Sequence, residues 1–213
     1  FIYRQNFYEG GALSKLANIQ DGLNGLRLIN KKQSESHLKW SKILLEILYT
    51  VNQAGEPWSP EYGSLYEGYY NHGEYIEGWS YEGAALGTPF ISTVNDVRSG
   101  LPAGPEEYFI NNRVMAIHLG LEGTIVDVSY ILKTSWSENY GTYWTTDEDQ
   151  STGLPDPGSY GLFGIQRQVS ALLEVNRNIA ERINIGLVGA FDSGSLLSNS
   201  SALFIKASYK FDY

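Results

Sequence analysis

Several stretches of this chain place an apolar or aromatic residue at every second position, and side chains two residues apart share one face of a β-strand. Leu203, Ile205, Ala207, Tyr209, Phe211 and Tyr213 alternate with Lys206, Ser208, Lys210 and Asp212, and only Phe204 breaks the pattern. Ile183, Ile185, Leu187 and Phe191 face away from Asn184, Gly186, Ala190 and Asp192. The same alternation runs through Ile43 to Val51, Met115 to Leu121, Val126 to Trp136 and Phe163 to Val175, and more weakly through 1–9 and 22–30. Ser41 to Thr50 contains helix formers, yet its alternation continues and predicts a strand. About eight strands and no helix are expected.

The links between these strands alternate in length. Residues 10–21, 53–111, 137–162 and 192–201 are medium to very long, whereas 31–36, 122–123 and 176–181 are short. In an up-and-down antiparallel sheet, successive connections fall at opposite ends, so one end carries tight turns and the other all the bulk. Outer-membrane β-barrels have this asymmetry, with short periplasmic turns and long extracellular loops. The pattern predicts an all-β, antiparallel, up-and-down transmembrane β-barrel segment over 1–213, with 53–111 as a long extracellular or plugging excursion that folds over the barrel and includes a hairpin of its own. A soluble sandwich or lipocalin-like barrel is the competing all-β architecture. Trp136, Tyr140, Tyr49, Tyr209, Phe211 and Tyr213 stand near strand ends, where aromatic girdles form at a lipid boundary.

Composition narrows the chemistry. The chain has 213 residues, 42% hydrophobic and 18% charged, and is too apolar for disorder. A net charge of −9 is the wrong sign for neutralising phosphates, which argues against a nucleic-acid partner. The lack of Cys excludes disulfides and thiolate metal sites. No run reaches the ~18 apolar residues of a membrane-spanning helix, since Ile43 to Tyr49 is interrupted by Glu46, but barrel strands need only ~10. The start at Phe1, inside an expected strand with no leader-like segment before it, leads us to expect sequence upstream.

Candidate functional residues concentrate in the excursion. Tyr and Trp faces stack on the apolar side of a pyranose, and nearby carboxylates accept its hydroxyls. Trp58, Tyr62, Tyr66, Tyr69, Tyr70 and Trp79, with Tyr143 and Trp144 in the next long link, are the candidate glycan-binding residues. Packing of these rings onto the barrel rim is the plainer alternative. His37, His72 and His118 are scattered. Asp147, Glu148 and Asp149 lack the Gly of a calcium loop, since Thr152 stands in its place, so no metal or cofactor is expected. Glu61, Glu67, Glu74, Glu77 and Glu82 offer no distinguishable catalytic pair. We expect binding rather than catalysis.

The segments Tyr3-Arg4-Gln5-Asn6-Phe7-Tyr8-Glu9 and Ile19-Gln20-Asp21-Gly22-Leu23-Asn24-Gly25-Leu26 suggest a family. So do Glu46-Ile47-Leu48-Tyr49-Thr50 with Asn52-Gln53-Ala54-Gly55, and Gly78-Trp79-Ser80-Tyr81-Glu82-Gly83 with Gly87-Thr88-Pro89-Phe90. Together they resemble the Wzi-type capsule assembly proteins in their Bacteroidetes-like form. The resemblance implies an outer-membrane barrel of about 18 strands, of which this chain would be the C-terminal part. It also implies that the barrel anchors or organises capsular polysaccharide by lectin-like binding, in contact with membrane lipid and lipopolysaccharide. An accessory barrel of a secretion, gliding or nutrient-uptake complex, binding protein partners through its loops, is a second expectation, and a glycan-active hydrolase a third.

Overall fold

The computed structural model describes residues 1–32, 36–54, 67–146 and 161–211. Twelve strands run in chain order: β1 (Ile2–Gln5), β2 (Gly22–Ile29), β3 (Leu38–Tyr49), β4 (Ser80–Tyr81), β5 (Ala84–Ala85), β6 (Ser92–Thr93), β7 (Phe109–Asn111), β8 (Val114–Ile125), β9 (Val128–Asn139), β10 (Gln166–Ala180), β11 (Ile183–Gly194) and β12 (Ser200–Tyr209). Eight form one antiparallel sheet in the order β1-β2-β3-β8-β9-β10-β11-β12, while β4 pairs with β5 and β6 with β7 inside the long excursion. The sheet is up-and-down and open, with β1 and β12 as its edges, so the described residues do not close a barrel. One short 3-10 turn, Ala12–Lys15, was not foreseen.

The alternation of link lengths is present. The turns after β2, β8 and β10 lie at one end of the sheet, and the segments after β1, β3, β9 and β11 at the other. One turn was misplaced. The tight connection expected at 122–123 is at Val126–Asp127, where Val126 takes a left-handed φ of 58°. Gly123 instead sits inside β8, because a Cβ there would lie 2.6 Å from the Tyr130 hydroxyl and 2.2 Å from the Lys39 carbonyl oxygen. It is a crossing point for an aromatic ring rather than a turn.

Cross-strand register carries each strand's two faces across the sheet. One row reads Ile43, Leu121, Leu132, Leu173, Gly189, Leu203, the next Leu45, Leu119, Thr134, Ala171, Phe191, and the one after it Ile47, Ile117, Trp136, Val169. This face is uncovered: Leu173, Leu203 and Ile205 are 47%, 70% and 79% exposed. Two ion pairs bound it, Arg167–Glu138 at the loop end (2.9 Å) and Arg177–Asp127 at the turn end (2.7 Å). Between them every outward side chain of β3 and β8 to β12 is uncharged. Arg167 and Arg177 are ten residues apart on β10, roughly 33 Å at ~3.3 Å per residue.

The opposite face is polar. Lys42–Glu122 (2.8 Å) and Lys206–Glu174 (3.0 Å) pair across it, and the row Glu46, His118, Ser135, Ser170, Asp192, Ser200 crosses six strands. At the loop end this face is capped. Leu48, Val114 and Ala116 form a small core with Phe7, Leu23 and Phe90, next to clusters around Tyr69, Ile91 and Phe109 and around Ile110, Phe163 and Leu196.

Gly25 is needed where Tyr3 crosses β2 to hydrogen-bond Glu46, because a Cβ would lie 2.1 Å from the Tyr3 ring. Gly189 has nothing within 4 Å and no left-handed φ. Gly25→Ala should therefore cost about 1–3 kcal/mol through overpacking, and Gly189→Ala stay within about 0.5 kcal/mol. Comparison of denaturant midpoints measures both.

Candidate functional site

The capped polar face encloses a cleft of about 530 Å³. Its floor is Glu46, His118 and Ser135, successive members of one inward row, with Leu48 and Ala116 one row nearer the loops. Gln5, Phe7 and Leu23 line its side, and Tyr70 with Gly87–Thr88–Pro89–Phe90 forms its roof. The floor is held in place. The Tyr3 hydroxyl donates to Glu46 Oε1, and His118 Nδ1 lies 2.8 Å from Ser135 Oγ. A second cavity of about 240 Å³ continues past Pro89 and Phe90, over Ser135, Ser137, Ser170 and Asp192.

The roof strap is positioned by residues at both of its ends. Gly87 has a φ of 110°, and a Cβ would lie 2.4 Å from the Tyr70 hydroxyl, which accepts the Thr88 N–H at 3.1 Å. Only glycine combines that backbone angle with so close an approach. At the other end, the Phe90 carbonyl accepts from Asn111 Nδ2 (3.2 Å), which also donates to Asn139 Oδ1 (3.0 Å) on β9.

Three carboxylates tie the long segments to one another. Asp21 accepts the backbone N–H groups of Asn52 and Gln53 (2.9 and 2.7 Å) and the Tyr69 hydroxyl (2.8 Å). Burial raises its pKa against the pull of those donors. Glu67 accepts N–H bonds from Glu9, Gly10 and Ala12, clamping the first loop. Glu107 accepts from Thr142 Oγ1 (2.8 Å) and the Gly104 N–H (3.0 Å), and burial pushes its carboxyl up to about 7.

The candidate aromatic residues separate into distinct environments. Tyr69 is buried beneath the first loop, and Tyr143 is buried with the Arg113 guanidinium 4.0 Å from its ring centroid. Neither presents a face to solvent, because each packs one inter-strand segment against another, Tyr69 on Asn18 and Asp21 and Tyr143 on Asn52 and Arg113. Trp144 lies half-buried against Gly104, and Tyr70 roofs the cleft. Trp79 is exposed at the start of the β4–β5 hairpin, beside exposed Tyr75 and Tyr81. Trp58, Tyr62, Tyr66, Tyr213 and the acidic run Asp147 to Asp149 lie outside the described residues. Glu46, Ser135 and Phe90 were not among the candidate glycan-binding residues, although Glu46 and Phe90 stand in the segments that carry the family resemblance. Their juxtaposition depends on register across three strands and on a strap far away in the chain.

Among the described residues no helix is long and apolar enough to cross a membrane, and no cluster of three His, Asp or Glu could hold a metal. No family model matches the chain, and no curated protein or solved structure shows a significant match to it.

The raised Glu107 carboxyl gives a pH dependence with a definite sign. The folded state holds its proton more tightly than the unfolded chain, so this contribution is full below the unfolded value near 4.5 and is lost as pH rises through about 7. Both of its bonds go to one oxygen, which an amide reproduces. Glu107→Gln should leave unfolding at pH 4 unchanged and stabilise the fold at pH 8 by about 1–3 kcal/mol, read from denaturant midpoints at the two pH values.

Proposed function

We propose that this chain is part of an outer-membrane β-barrel that holds surface polysaccharide at its loop end by binding rather than catalysis. The observation that carries the membrane half is the uncharged outward face bounded by the Arg167–Glu138 and Arg177–Asp127 pairs. A strand path of roughly 33 Å, tilted by ~40°, rises ~25 Å, the height of the apolar band on outer-membrane barrels. Tyr49 and Trp136 stand near the loop-end boundary, and Trp40, Tyr130 and Tyr209 near the turn-end one, where interfacial aromatics are favoured. The short turns then face the periplasm and the capped end faces outward. At that end the exposed Tyr75, Trp79 and Tyr81 offer stacking surfaces for sugar rings. The resemblance to capsule assembly proteins agrees with a glycan partner.

Two adjacent leucines test the membrane assignment. Leu173 points outward at mid-belt, and Leu172 points to the polar face between Lys133 and Ala190. In bilayers, Leu173→Arg should cost about 2–4 kcal/mol and Leu172→Arg about 1 kcal/mol or less. The reverse ranking, with the intact protein recovered from cells in the aqueous fraction without detergent, contradicts the proposal.

A further inference from the structure

We infer that the cleft beneath the Gly87–Phe90 strap is a binding site for an uncharged sugar unit, so that the glycan held by this protein is a neutral polysaccharide. The inference rests on the glycan-binding reading above and adds a site and a charge class. Its enclosed volume of about 530 Å³ lies in the range of small-molecule sites. The cleft is two-sided in the way a pyranose is. Phe7, Tyr70 and Phe90 supply aromatic and apolar surface from the loop side, while Glu46, His118, Ser135 and Gln5 supply hydrogen-bonding groups from the sheet. Phe90, Pro89 and Ser135 also line the second cavity, so consecutive units of one glycan have a continuous path across the inward row.

The charge class follows from the lining. Among the described residues neither cavity is lined by a Lys or Arg, and each has one carboxylate, Glu46 in the first and Asp192 in the second. Arg27 and Lys133 point inward one row nearer the turn end, outside both linings. From Gln53 to Asn111 the single Lys or Arg of the sequence is Arg98, which is occupied with the carbonyls of Gly194 and Leu197 and with Asn199 Oδ1. A uronate or phosphate brought to this cleft would lose its hydration and meet like charge. Hydroxyls would meet a carboxylate, an imidazole and a serine of suitable polarity.

The test uses the full chain in detergent micelles and oligosaccharides released from the surface polysaccharide of the cells that make it, split into neutral and acidic fractions by anion exchange. Equilibrium dialysis should show the neutral fraction bound and the acidic fraction free. His118→Leu and Ser135→Ala should each weaken neutral binding at least fivefold in protein that still folds in the micelles, the loss of their mutual hydrogen bond lowering the unfolding midpoint only slightly, and Trp79→Ala reads the separate contribution of the exposed hairpin. Equal or stronger binding of the acidic fraction overturns the inference. So does neutral binding that survives both cleft variants and weakens with Trp79→Ala, which leaves the broader glycan reading standing. Binding of neither fraction overturns both.

Discussion

Alternate side chains of a strand leave it on opposite sides, and here the two sides need different surroundings. Between the Arg167–Glu138 and Arg177–Asp127 pairs the outward side chains of β3 and β8 to β12 are uncharged, and the inward ones include the pairs Lys42–Glu122 and Lys206–Glu174. A shift of one residue in any strand would place a charge in the apolar belt and a leucine against the polar row. The register is therefore fixed from both faces at once. An apolar surface of this extent is rare on a soluble monomer, and an acyl environment would remove the cost of exposing it.

The same two-sidedness explains why the long segments pack on the polar face. At the loop end that face offers acceptors to them, Asn139 Oδ1 to Asn111 and Gln168 Oε1 to the Leu197 N–H. The segments are joined to one another by Asp21 on Asn52 and Gln53, Glu67 on the first loop, and Asn71, which donates to and accepts from the Phe109 backbone at 2.8 and 2.9 Å. Each such bond stabilises two segments distant in sequence, so the cap is held by polar anchors around small apolar clusters rather than by a single large core. The cleft remains where the Gly87–Phe90 strap stands off the floor, propped by the Tyr70 hydroxyl.

Strand identity and the division into a loop end and a turn end were legible from the sequence because alternation and link length are local properties. The Ser41 to Thr50 segment, ambiguous by propensity, lies in β3 as far as Tyr49, since its outward Ile43, Leu45 and Ile47 decide the matter. Gly123 was misleading because a glycine that admits a neighbouring ring has the same one-letter signature as a turn. Tyr69 and Tyr143 were indistinguishable from Trp79 in sequence, yet two are buried anchors and one is exposed; the difference lies in partners, Asp21 and Arg113, supplied from elsewhere in the chain. The cleft was invisible for the same reason, as Glu46, His118 and Ser135 meet through the register of β3, β8 and β9.

An acyl environment for the outward face is tested most directly by spin-label accessibility along β8. The sequence has no Cys, so single substitutions at consecutive positions from Ile117 to Gly123 label one site each. In bilayers, labels at Ile117, Leu119 and Leu121 should collide preferentially with oxygen, which partitions into lipid, and labels at His118, Gly120 and Glu122 with a water-soluble nickel chelate. Accessibility to the chelate at every position, or its presence on the odd-numbered ones, would contradict a lipid-facing sheet.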